Sequence, residues 1–182
     1  MQIPPRKECL KMLVDMHMPE HIQDHSKLVC KVALLLTDAL IGAGVPLNRP
    51  LVTASALLHD ITKSRSFATG ENHSHTGGEY LADRGFPEVG HIVRQHVVLD
   101  AYFADEAPTE AEVVNYADKR VLHDNVVPLA DRMAYILQRY VKTPAHRKML
   151  EHVWSQTEKL EQRLFSHLSF SPWQVGELID DR

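Results

Sequence analysis

The chain is 182 residues long, 44% hydrophobic and 24% charged, with a formal net charge of -4. That length fits one domain with enough apolar material for its own core, and the composition excludes disordered, collagen-like and low-complexity classes. No run approaches the ~20 apolar residues of a membrane-spanning helix, and no basic patch suited to a nucleic acid polymer stands out, whereas a small anionic substrate needs only one or two cations.

Almost every segment repeats its apolar residues every three or four positions, and strand signals are scarce. Helices are predicted over 4–17 and 20–42, the second carrying Ile22, Val29, Val32, Leu36 and Leu40 and stopping at Gly42-Ala43-Gly44. No strand precedes those glycines and a third is missing, so they form no nucleotide-binding loop. A helix over 49–61 has Pro50 in its first turn. The polar stretches 62–71 and 99–109 read as loops. Further helices are predicted over 75–84, 87–98, 110–124, 129–140, 144–167 and 172–180.

The expected architecture is an all-α, single-domain helical bundle. A helix over 1–19 packs on a core of 20–141, followed by C-terminal helices over 142–182. The apolar stripe Leu150, Val153, Leu160, Leu164 and Leu168 suits either packing on the body or a homodimer contact, and does not decide between them. Cys9 and Cys30 lack CxxC spacing and read as reduced structural thiols of a cytoplasmic protein. The first residues, with Pro4, Pro5, Arg6, Lys7 and Glu8, lack the apolar core of a secretory signal, so Asn72-His73-Ser74 is a chance glycosylation sequon.

Ligand-type residues on apolar helix faces carry the chemistry. His25 lies three after Ile22 and four before Val29; His59 lies three after Ala56 and is followed by Asp60; His96 lies four after Ile92; Asp118 lies four after Val114. A lone buried histidine reads as a satisfied core residue. Three histidines and two aspartates aimed inward from four helices are costly unless they share a cation. Imidazole and carboxylate without thiolate suit Fe, Mn, Mg or Zn. Adjacent helix positions differ by about 100°, so His59 and Asp60 reach one ion only if their helix lies deep in the bundle.

The segment Ala56-Leu57-Leu58-His59-Asp60-Ile61-Thr62-Lys63 closely resembles the signature of the HD-domain metal-dependent phosphohydrolases. His25-Ser26 with Val29 is similar to that family's first histidine segment. His73-Ser74-His75-Thr76-Gly77-Gly78 is similar to the segment in which a histidine stands four before a glycine, which aligns His73, with His75 as the alternative. Ile92-Val93-Arg94-Gln95-His96 and Tyr116-Ala117-Asp118-Lys119 resemble the remaining two. The likeness covers about 20–140.

The resemblance implies an antiparallel bundle with His25, His59, Asp60 and Asp118 on one ion. It also implies a second ion held by His73 and His96 and bridged by Asp60. The implied cofactor is a divalent metal, two ions drawn from Fe, Mn, Co, Mg or Zn. The pattern is like that of the HD hydrolases that split diadenosine tetraphosphate symmetrically. It departs from the cyclic-dinucleotide branch, lacking Gly-Tyr-Pro and carrying Val97 where that branch has a second histidine, which argues against cyclic di-GMP as substrate.

The expected activity is metal-dependent hydrolysis of a phosphate ester or anhydride of a nucleotide or other small phosphorylated metabolite. Asp60 and Lys63 are the candidate catalytic residues. Lys63, Arg65 and Arg94 are the candidate substrate-binding cations, with solvated surface positions as their alternative reading. His123 and Arg132 are read as surface or packing residues, substrate contact being the alternative. Two rivals use the same residues: a di-iron oxygenase, which needs the same ligands, and a regulatory module without turnover, against which the intact ligand set argues. The expected partner is a small phosphorylated molecule, not a nucleic acid polymer or a membrane.

Overall fold

The computed structural model describes residues 1–180; Asp181 and Arg182, the end of the predicted C-terminal block, lie outside the described residues. α1 (Arg6–Asp15) buries Cys9, Met12 and Leu13. It leads into α2 (Glu20–Gly42), whose buried side runs from Ile22 and His25 through Val29, Val32 and Leu36 to Leu40. α3 (Arg49–Leu58) starts where the Asn48 side chain accepts from the Leu51 N–H, with Pro50 in a first-turn position that needs no donor. It lies along α2 and also touches α1.

The stretch expected as the loop 62–71 is instead a short helix, α4 (Lys63–Thr69), ended by Gly70 at φ +72°. α4 buries no residue, so it has no apolar periodicity to read. α5 (His73–Ala82) begins two residues earlier than predicted, because Asn72 caps it by accepting from the Ser74 N–H. α6 (Pro87–Arg94) crosses α5 at two facing glycines, Gly78 and Gly90.

α7 (Glu110–Lys119) opens with a reciprocal cap between Thr109 and Glu112. The helix predicted over 110–124 stops there. β1 (Val121–Leu122) and β2 (Asn125–Val126) form an antiparallel hairpin, with Val121 opposite Val126 and Leu122 opposite Asn125. His123 at its tip takes φ +56°, which no α-helix accommodates. α8 (Leu129–Tyr140) and α9 (Pro144–Phe165) follow, then a 3₁₀ turn (Pro172–Gln174) and α10 (Val175–Asp180).

α9 lies against α7 and α8 and buries Val153, Trp154, Leu160 and Leu164. α10 packs on α2 through Val175 and Ile179. Cys9 and Cys30 are buried and unbridged. Among the described residues, no helix is long and apolar enough to cross a membrane. The fold is all-α, the small hairpin apart.

Candidate metal centre

Five segments converge on one point, and three of the expected ligands, His59, Asp60 and His96, lie past the ends of the helices actually formed. His59 caps the C-terminus of α3 and Asp60 occupies the turn after it. The turn, not burial of a continuous helix, lets two adjacent side chains face one centre. His96 lies two residues past the end of α6, where the helix predicted over 87–98 has already stopped. His25 comes from α2, His73 from the first position of α5, and Asp118 from the last turn of α7.

Three of the four rings are oriented through the far nitrogen. His59 Nδ1 donates to the Ala56 carbonyl (2.8 Å) and His96 Nδ1 to the Val93 carbonyl (2.7 Å), each in the last turn of its helix. His25 Nδ1 donates to the His123 carbonyl (3.2 Å) at the hairpin tip. A carbonyl only accepts, so in these three rings Nδ1 carries the hydrogen and Nε2 turns inward. The hairpin therefore holds a ligand through its main chain, a role no side-chain type signals.

The inward atoms form two groups that share Asp60: His25, His59 and Asp60, and Asp60, His73 and His96, the ligand atoms of each group lying within 4.8 Å of one another. His73 Nε2 stands 3.2 Å from His96 Nε2 and 3.2 Å from Asp60 Oδ1, and His96 Nε2 is 3.5 Å from the same oxygen. On the other side, Asp118 Oδ1 lies 3.1 Å from His25 Nε2 and 3.5 Å from His59 Nε2. His59 Nε2 and Asp60 Oδ1 are buried and without hydrogen-bond partners. Leaving such a group unsatisfied costs about 1–3 kcal/mol. Converging polar atoms with unmet hydrogen bonds fit a cation, and nitrogen with carboxylate oxygen fits a divalent metal.

The electrostatics agree. Burial alone would depress His59, but Asp60 and Asp118 reverse this and hold it up to about 10. Burial would raise Asp60, yet Lys63 and His59 keep its carboxyl well below the usual range. Asp118 is likewise low despite burial, through His25 and His59. Burial pushes His96 down to about 4, which keeps the ring neutral. The carboxylates thus demand positive charge, which a proton on His59 supplies and a metal ion would replace.

Of the other expected residues, Lys63 is at the centre, its Nζ donating to Asp60 Oδ2 at 2.9 Å. Arg65 and Arg94 are not brought into the cluster. Arg65 pairs with Glu71 (2.6 Å) and Arg94 holds Asp100 with both terminal nitrogens. His75 is exposed and belongs to neither group. Arg132, read from the sequence as surface or packing, stands with its Nη2 4.0 Å from Asp118 Oδ1.

A histidine-aspartate centre set in a helical bundle defines a class, and comparison with known proteins gives its family. Residues 22–124 match the HD domain, more than half of the chain, and the chain belongs to that family. It is 28% identical over 144 residues to a tRNA (cytidine(56)-2'-O)-methyltransferase of Picrophilus torridus, covering 72% of this chain and 40% of that protein. It is 34% identical over 115 residues to a dihydroneopterin 2',3'-cyclic phosphate phosphodiesterase of Methanocaldococcus jannaschii, covering 53% and 44%. The chain thus spans less than half the length of either relative. The fold is shared with a crystal structure described as a predicted HD superfamily hydrolase from an uncultured Thermotogales bacterium, with a TM-score of 0.52 and 20% identity over 89% of this chain and 92% of that one.

Proposed function

We propose that this protein is a metal-dependent phosphohydrolase that cleaves a phosphate ester or anhydride of a nucleotide or other small phosphorylated metabolite. The observation that carries this reading is Asp60, common to both ligand groups, with Oδ1 facing His73 and His96 and Oδ2 facing His59 and the Lys63 ammonium. The Methanocaldococcus relative, named for hydrolysis of a cyclic phosphodiester, supports it.

His25, His59, Asp60 and Asp118 would hold one ion, and His73 and His96 with Asp60 the second. Divalent ions in such a donor set supply Lewis acidity, polarising a phosphoryl oxygen and acidifying water. The chain's own groups do the rest. The carbonyls of Ala56, Val93 and His123 fix three rings so that Nε2 faces inward without reorganisation. Lys63 neutralises Asp60 and would present a point charge to a phosphate oxygen.

The test is a panel of mononucleotides, dinucleoside polyphosphates, cyclic phosphodiesters and phosphonates, assayed with Mn²⁺ or Co²⁺. The expected result is cleavage of a phosphate ester or anhydride that is abolished by chelator. Oxygen consumption with a mixed-valence iron signal, and no phosphoester cleavage under any metal, would assign the centre to oxygenase chemistry instead.

A further inference from the structure

Two arginines in this fold, Arg120 buried and Arg132 half-buried, have opposite environments. Arg120 uses every part of its guanidinium: Nε donates to the Val127 carbonyl (2.8 Å), Nη1 to the Tyr116 hydroxyl (2.6 Å) and Nη2 to the Pro172 carbonyl (2.9 Å). That is a structural arginine. Arg132 has a side chain only 14% exposed, yet its Nε is buried without a partner. Its one approach to a carboxylate, Nη2 to Asp118 Oδ1 at 4.0 Å, is too long for a hydrogen bond. Leaving guanidinium donors unspent in a buried position is expensive, unless they are kept for something absent from the resting chain.

What they face narrows the choice. Lys63 lies on Asp60, Arg132 beside Asp118, and the two cations are close enough to repel each other. Both candidate ligand carboxylates are therefore already flanked by a positive side chain, and metal loading would add further positive charge. A site so built favours an anion. A planar fork of N–H donors matches two oxygens of a phosphate, whereas an ammonium meets one as a point charge.

Resting on the phosphohydrolase reading, we propose that Arg132 is a phosphate-anchoring residue that works with Lys63, one cation beside Asp118 and the other on Asp60. α8 is then part of the substrate site. Arg132 takes the place that the sequence offered to Arg65 and Arg94, both of which the fold closes into ion pairs with Glu71 and Asp100.

The experiment is calorimetric titration of inorganic phosphate into the Mn²⁺-loaded full chain, as wild type, Arg132→Gln and Arg132→Lys. Metal content, thermal midpoint and ester kinetics are recorded in parallel. The wild type is expected to bind phosphate. Arg132→Gln should bind it about 10- to 100-fold more weakly, in line with loss of a charge-assisted hydrogen bond. Metal content and thermal midpoint should be kept, KM should rise more than kcat falls, and Arg132→Lys should recover part of the affinity. Unchanged phosphate affinity in Arg132→Gln, no phosphate binding by wild type, or a loss that follows metal content would each overturn the proposal. Arg132-dependent phosphate binding without any ester turnover would instead sink the hydrolase reading and leave this one standing.

Discussion

Gly78 and Gly90 meet backbone to backbone where α5 crosses α6, and neither position has room for a side chain. A Cβ on Gly78 would stand 2.7 Å from the Gly90 carbonyl oxygen, and one on Gly90 would run into the Gly78 carbonyl. α5 opens with His73 and α6 is followed by His96, so this crossing sets the approach of their Nε2 atoms.

Gly90→Ala should therefore push the two helices apart and open the Asp60, His73 and His96 group. Overpacking of this kind costs about 1–3 kcal/mol, which outweighs the ~1 kcal/mol that alanine gains over glycine in a helix. The expected outcome is a lowered thermal midpoint and one metal ion fewer per chain, with the His25 and His59 group still loaded. Wild-type metal content in this variant would contradict the role assigned to the crossing.

Asp60→Asn keeps the shape of the residue and removes the charge common to both groups. Elemental analysis should find both ions lost, and phosphoester cleavage should go with them. His59→Ala should empty the first group. Full occupancy and activity in either variant would contradict the central assignment.

Lys63→Ala removes the ammonium on Asp60 Oδ2 and leaves every candidate ligand in place. Hydrogen bonds involving a charged group are worth about 1.5–3 kcal/mol, which corresponds to a loss of roughly 10- to 100-fold in kcat/KM. Metal content should not change. Kinetics equal to wild type would return Lys63 to a solvated position.

The ligand set was legible because burial leaves a mark on either side of each residue. His25 lies between Ile22 and Val29 on a true helix face, as read. His59, Asp60 and His96 were found by the same apolar pattern although they occupy helix ends and turns. Ile61 and Leu99 stay buried beyond those ends, so the pattern reports depth and not where the helix stops. α4 and the two-residue strands were invisible, one having no buried residue and the other being too short for a period. The His123 carbonyl had no signal at all, because any residue offers one. Arg132 sits on α8, whose only buried residue is Leu129, and its place beside Asp118 arises only when the chain folds back after the hairpin.

Cys9 supplies a test of the core beneath the centre. Its thiol is fully buried, and burial pushes it up to about 12 from an ordinary 9.0. The unfolded chain gives up this proton first, so stability should fall as pH rises above about 9 and continue falling towards 12. Denaturant titrations of wild type and Cys9→Ala between pH 8 and 10.5 check it. The variant is expected to lose less stability across that range. Parallel curves would mean that the Cys9 thiol ionises equally in both states.

In the proposed centre Asp60 joins two ion sites, and His96 belongs only to the second. The most direct measurement is the metal content of wild type and His96→Ala, purified without chelator, reloaded with excess Mn²⁺ and desalted, with circular dichroism showing that both are folded. Two ions per wild-type chain and one in His96→Ala are expected, with phosphoester cleavage sharply reduced in the variant. One ion per wild-type chain, unchanged in His96→Ala, would contradict this assignment.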